Sequence, residues 1–286
     1  MKYRILVPIL LVALVTLACG ITIDLDTDVK TGSTQVEPIS VPFLASPAEI
    51  ANVSVSFGAG TLIITPGSED ALISGTATFN VQDFRPEISI SGNDISIEQG
   101  SLDIGGVPTF PDDLVNDWVF SIGNAPLELE VDAGAYSGTY ELGGLSIRRL
   151  EINDGAAEAQ LNFSQPNLIE MSQFKYTTGA SNIKLQGLAN SNASELVFRS
   201  GAGAYTLDFS GELARDMAVR IESGVSSITI IMPADTSAVL TTNGLLTVNA
   251  SGGWVQNDNS YLTGGNGPTI TIEVDMGAGT LILITQ

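Results

Sequence analysis

The sequence predicts an all-β protein: a β-solenoid of the parallel β-helix kind, built from 21–24-residue rungs, with a hairpin near its N-terminal end. Three observations predict it. Glycine is abundant, at 30 residues, while Val, Ile, Leu and Thr fall in short alternating runs. A glycine-centred phrase recurs along the chain, and the positions flanking it are apolar in every copy. The first full copy is "FGAGTLIITPG" from Phe57 to Gly67, and "MGAGTLILITQ" repeats it from Met276 to Gln286.

With each glycine as origin, the copies begin at Gly58, Gly134, Gly155, Gly179, Gly201, Gly224 and Gly277. From Gly134 to Gly224 the spacings are 21, 24, 22 and 23 residues, a period characteristic of stacked repeats. Five residues before the glycines stand Val53, Leu129, Leu150, Phe174, Leu196, Val219 and Ile272. Three before stand Val55, Val131, Ile152, Tyr176, Phe198, Ile221 and Val274, and the sixth residue after is also apolar each time. A two-residue step puts these side chains on one face of a strand. Each unit therefore reads as strand, tight glycine corner, strand and variable return, with glycine supplying the dihedrals of a bend and alanine the room for close stacking. One unit cannot bury its apolar face alone, whereas stacked units enclose a core. A β-sandwich is the competing architecture, since short strands and regular turns suit it too, but it does not account for the recurring glycine.

Two regions break the period. In "PEISISGNDISIEQG", Ile88, Ile90, Ile95 and Ile97 alternate about Gly92-Asn93-Asp94, a hairpin signal. An irregular stretch with Trp118 follows. The second break, Asn249 to Pro268, comes after a faint rung around Gly244, and the last copy then reads as a complete closing rung.

The chain opens with Lys2 and Arg4, an uncharged apolar run from Ile5 to Ala18, and then "VTLAC". The run is short for a permanent span and reads as a signal peptide over residues 1–18. "VTLAC" resembles the lipobox of bacterial lipoproteins, with Thr16 where leucine is more usual. That resemblance implies lipidation of Cys19, export, and attachment through acyl chains at the bacterial cell membrane or cell surface. Residues 19–47, without periodicity, read as a tether; residues 48–126 as an N-terminal β region containing the hairpin; residues 127–286 as the solenoid repeats, continuous with it. Without the signal, nine Lys and Arg face 32 Asp and Glu, a balance of −23 that repels nucleic acid.

The "VSVSFGAGTLIITPG" segment, the hairpin and the stretch "LELEVDAGAYSGTYELGGLSIRRLEINDGAAEAQLNF" resemble the toast-rack proteins. They are also similar to bacterial envelope domains described as adhesin-like and to the extracellular part of LiaF-like envelope-stress proteins. The resemblance covers most of residues 50–286. It implies a stacked-β fold at the cell surface and transfers no catalytic residue, because its motif is structural.

Chemistry is sparse in the sequence. There is no histidine, and Cys19 is the lone cysteine, which excludes histidine bases, thiol catalysis and His- or Cys-based metal sites. No phosphate-loop or calcium-loop motif occurs, so no cofactor or metal is expected. Four Asn-x-Ser triplets, at Asn52, Asn162, Asn192 and Asn249, are expected from a chain rich in both residues. Trp254 and Tyr261, with Asn257, Asp258 and Asn259, form a candidate ligand-binding loop, because sugar recognition needs aromatic faces beside hydrogen-bonding groups. The alternative reading of that loop is a plug over the core. The function expected is non-catalytic: a lipid-anchored adhesion, scaffold or binding module, whose partner is an extracellular glycan or an envelope protein. An accessory sensor of envelope stress is the first alternative. A carbohydrate-active enzyme using Asp112, Asp113 and Asp117 beside Trp118 is the second.

Overall fold

The computed structural model describes residues 29–46, 49–100 and 111–286. The signal peptide, Cys19, the first part of the tether and residues 101–110 of the irregular stretch lie outside the described residues. Residues 31–102 and 113–286 form one unit, and every strand among the described residues belongs to it. Of the second unit, residues 1–30 and 103–112, only 29–30 and 111–112 are described.

Eight long strands form the body of a single, mostly parallel sheet. They are β2 (Ala51–Ser68), β7 (Leu127–Glu141), β8 (Ile147–Asn162), β9 (Gln173–Gln186), β10 (Glu195–Asp208), β11 (Met217–Met232), β12 (Ser237–Ala250) and β15 (Thr269–Thr285), in the spatial order β2-β7-β8-β9-β10-β11-β15-β12. Every neighbouring pair within this run is parallel. Register follows the repeat: Val53, Leu129, Leu150, Phe174, Leu196, Val219 and Ile272 are successive partners in one row. All of them are buried.

Each long strand turns sharply at its glycine. In β10, Leu196 and Phe198 are buried before Gly201, and Tyr205 and Leu207 after it, so the inward parity changes from even to odd. Pairing skips the glycine itself: Ser200 pairs with Ser223 and Ala202 with Val225. Phe198 and Tyr205 are seven residues apart, about 23 Å in a straight strand. Their ring centroids are 5.1 Å apart, edge to face. The strand has folded over, and the core lies between its two halves.

The reason for glycine differs from the one the sequence suggested. The leading glycines do not take a left-handed φ. They form a column in which a methyl on Gly179 would lie 2.3 Å from the carbonyl oxygen of Gly155, one on Gly201 2.6 Å from that of Gly179, and one on Gly224 2.5 Å from that of Gly201. Lack of space excludes a side chain there. The left-handed requirement falls on the second glycine of the full phrase, with φ of 130° at Gly60 and 143° at Gly279.

Shorter strands close the ends. The first half of β2 pairs with β5 (Asp94–Gln99), which turns back on β4 (Pro86–Ser91) through Gly92 and Asn93, as the hairpin signal predicted. The second half pairs with β6 (Asn116–Gly123), itself antiparallel to β3 (Ile73–Phe79), and β3 to β1 (Gln35–Val41). β1 interrupts the expected tether: Ile39 and Val41 are buried, which gives an alternating run reason to pair. At the other end β14 (Ser260–Thr263) and β13 (Val255–Asn257) form a hairpin on the first residues of β12. The final copy of the phrase is not the outermost strand. β15 lies between β11 and β12, because Gly277 continues the glycine column onto Gly224, whereas Gly244 of β12 meets Met276 with a shift of register.

Side-chain amides stabilise the returns. Asn167, 3% exposed, accepts from the Ile147 backbone N–H at 2.8 Å and donates to the carbonyls of Ile147 and Ile169 at 2.7 and 2.8 Å.

Candidate functional site

The glycine corner divides the outward surface into two walls. Before the corner, successive strands present Glu130, Glu151 and Lys175 in one row and Asp132, Asn153, Thr177, Arg199 and Glu222 in another. After it the rows are mostly neutral, for example Thr139, Gln160, Lys184, Thr206, Thr229 and Ile282. The inward alternation fixes both sets, since a residue beside a buried one must face out.

A groove of about 410 Å³ lies on the charged wall. It runs across the adjacent paired strands β4, β5, β2, β7 and β8, and its polar lining comprises Asn52, Ser54, Ser89, Ser91, Asp94, Ser96, Glu128, Glu130, Arg149 and Glu151. Asn52 donates through Nδ2 to Asp94 at 2.7 Å, and Ser54 donates to Ser96 at 3.2 Å. Glu151 accepts from Lys175 at 2.6 Å and from Arg149 at 2.9 Å. The Lys175 hydrogen bond is the main reason the Glu151 carboxyl is held below its ordinary value. Its row neighbour Glu130 is pushed up, first by partial desolvation against the neighbouring strands and then by the charges of Asp132 and Glu151, although its side chain faces solvent. Opposite shifts in two adjacent carboxyls are what acid–base chemistry on a glycoside uses. Here, however, both cations occupy Glu151, and Glu130 is exposed on an open wall.

The loop singled out in the sequence is a cap on β12. Trp254 and Tyr261 are 8% and 7% exposed, and Tyr261 pairs with Leu240. Asn257, Asp258 and Asn259 form the exposed tip of the β13–β14 hairpin, where Asp258 has a φ of 51°. The structure thus places two rings inside and three polar side chains outside. Asp112, Asp113 and Asp117 are all exposed; Asp113 accepts from Thr31 at 2.9 Å, and none of the three lines the groove. Among the described residues no cluster of three or more acidic side chains is arranged to hold a metal ion.

Inside the corner runs a polar seam. Asp154 is 9% exposed and accepts hydrogen bonds from Tyr176 Oη at 2.7 Å and from Thr178 Oγ1, while Thr178 lies 2.5 Å from Ser181 Oγ. Ser200 donates to Ser223 at 2.8 Å, and Ser223 and Ser226 are linked at 2.7 Å. Burial raises the Asp154 carboxyl despite its hydroxyl donors. Sequence reasoning missed the seam, although a signal exists. The residue before the glycine is Asp154, Thr178, Ser200 and Ser223 in four successive copies, polar where the flanking inward positions are apolar.

The family described as the N-terminal domain of toast_rack, DUF2154, matches residues 21–171 and 166–231. Among solved structures the chain is similar to a "putative cell adhesion protein" from Clostridium sporogenes, at 18% identity over 89% of this chain and 100% of that one, with a TM-score of 0.48. It is also similar to a "putative adhesin" from Parabacteroides merdae, at 11% identity over 90% and 99%, TM-score 0.38. A "putative lipid binding protein" from Parabacteroides distasonis gives 10% identity over 89% and 98%, TM-score 0.35. No curated protein matches the chain.

Proposed function

The chain belongs to the toast-rack family, and on that premise we propose that it is a non-catalytic binding scaffold of the bacterial envelope, exported and held at a membrane by an acylated Cys19. Its partner is an extended, polyhydroxylated chain such as a cell-surface glycan, received by the groove that runs across strands β4, β5, β2, β7 and β8.

One observation carries the reading. The groove presents serine hydroxyls, an amide, carboxylates and a guanidinium from strands about 4.8 Å apart on a rigid sheet. Donors and acceptors at fixed intervals suit a polymer with hydroxyls at regular intervals, and rigidity lowers the entropy lost on binding. The surface charge supports the same choice against nucleic acid, which the balance of −23 left after removal of the signal repels.

The test is calorimetry against cell-wall and extracellular glycan fragments. Asn52→Ala with Ser96→Ala should weaken binding about tenfold, as the loss of one or two net hydrogen bonds does. Asn257→Ala with Asn259→Ala should leave it unchanged. If the second pair abolishes binding and the first does not, the cap is the site and the groove is not. Incubation of a bound glycan should release no new reducing ends; their appearance, lost in Glu130→Gln, would make the protein a hydrolase.

A further inference from the structure

Sheet edges are the places where a β protein is most exposed to pairing with another chain, and natural edges are guarded by charge, proline or shortness. Four edges are free among the described residues: β1, β4, β13 and the second half of β12, Asn243–Ala250. β1 carries Glu37 and Pro38, β4 carries Pro86 and Glu87, and β13 is three residues long. The β12 segment has none of these guards. From Ser237 to Asn257 there is no charged residue, in a chain whose net charge is −21. β2 is the other long strand without charge, and it is paired along both edges. β12 thus shares its lack of charge with a strand paired on both sides, yet its own second half stands at an edge.

The side chains add a second observation. Leu246 and Val248 belong to the inward set, pairing with Gly279 and with the buried Leu281 of β15, yet both remain half-exposed. Leu245, on the outward side, is 81% exposed. Among the described residues the core is covered by β14 along Ala238–Thr241 and by no strand beyond it.

We propose that this edge pairs with the same edge of a second copy, antiparallel across a two-fold axis normal to the sheet. Such an axis keeps each side chain on its own face, so residues of equal parity must meet. Centring the pair on Thr247 satisfies this: Thr247 meets Thr247, Leu246 meets Val248 on the inward face, and Leu245 meets Asn249 on the outward one. The two half-covered core ends then close against each other, Thr opposite Thr is a favourable pair, and no like charges face each other. A closed two-fold contact also stops at two copies instead of continuing into a fibre. The proposal is independent of the glycan reading, since the groove lies on other strands.

Sedimentation velocity on the full chain in detergent, with micelle mass subtracted, tests it. The wild type should show a concentration-dependent dimer. Leu245→Asp with Asn249→Asp sets acid opposite acid twice and should raise Kd at least about tenfold. Leu245→Asp with Asn249→Lys sets acid opposite base and should restore dimerisation to within about threefold. Both positions are exposed, and circular dichroism confirms that each variant is folded. A wild type that stays monomeric at every soluble concentration overturns the proposal. So does a dimer that neither variant affects, and an Asp/Lys variant as weak as Asp/Asp.

Discussion

Replacing Gly179 by Ala tests the glycine column directly. The added methyl would sit 2.3 Å from the carbonyl oxygen of Gly155, where ordinary contact begins near 3.4 Å. About 1 Å of overlap has to be relieved by separating β8 from β9 at the corner, where both strands are tied by backbone pairing on either side. Neither a rotamer change nor a flexible neighbour relieves it, because both atoms in conflict are fixed to backbone. Overpacking of this kind costs about 2–3 kcal/mol, partly offset by the roughly 0.5–1 kcal/mol that alanine gains over glycine through the unfolded chain. The net loss of about 1–2 kcal/mol should lower Tm by roughly 2–8 °C. Gly155→Ala is the internal control, since its methyl would lie 3.1 Å from the Gly134 oxygen and a shift of a few tenths suffices. Gly264→Ala meets nothing within 4 Å and should be neutral. Urea midpoints read at two wavelengths are the assay, because stacked repeats can lose all-or-none unfolding. Equal midpoints for the Gly179 and Gly155 variants would refute the steric account of the column.

Asp154→Asn should alter how stability depends on pH. Burial raises the folded-state carboxyl above its ordinary 3.8, so the folded protein holds the proton more tightly than the unfolded chain does. Stability from this group is greatest below 3.8 and falls as pH rises from there through the raised value; the Asn variant should lack that fall and match the wild type only in acid. Asn167→Ala orphans the Ile147 N–H and removes a donor from the Ile147 carbonyl in a buried return, while Asn192 still donates to the Ile169 carbonyl at 2.9 Å, and should cost about 1–3 kcal/mol in urea unfolding. Cys19→Ser should move the protein from the membrane to the soluble exported fraction, read by fractionation and immunoblot; unchanged membrane association would remove the lipid anchor from the proposed function.

The repeat was legible because its constraints act at single positions. A row of Val53, Leu129, Leu150, Phe174, Leu196, Val219 and Ile272 must be apolar to be buried, and the glycine must be glycine to fit beneath the preceding carbonyl. The hairpin was legible for a similar reason, since Gly92-Asn93 can only be a turn between alternating isoleucines. Strand order at the ends was not. Whether β15 lies inside or outside β12 depends on which glycine fits the column, and Gly244 and Gly277 look alike until Met276 is placed. The groove was hidden because its lining comes from five elements, β2, β4, β5, β7 and β8, which contribute Asn52, Ser89, Asp94, Glu128 and Arg149. These residues are scattered along the chain and become neighbours only through the sheet. Trp254 and Tyr261 drew attention as aromatics in a polar loop; only the fold shows their rings buried.

The corner also explains where chemistry can reside in such a fold. Outside the bend only glycine fits, and the next position points away from the core, as Ala202 and Val225 do. Inside the bend the two full copies of the phrase bury Phe57 and Met276, whereas in the middle strands hydroxyls of Thr178, Ser181, Ser223 and Ser226 satisfy one another. Asp154 enters this seam because Tyr176 and Thr178 supply donors. The inward rows are held by burial, and the seam by mutual hydrogen bonding. The outward rows answer to neither constraint: Glu130, Glu151 and Lys175 occupy equivalent places in successive strands with different chemistry. Recognition can therefore vary along the outward walls at little cost to the fold, which is why the groove beside the hairpin, and not the glycine motif, is where specificity should be sought.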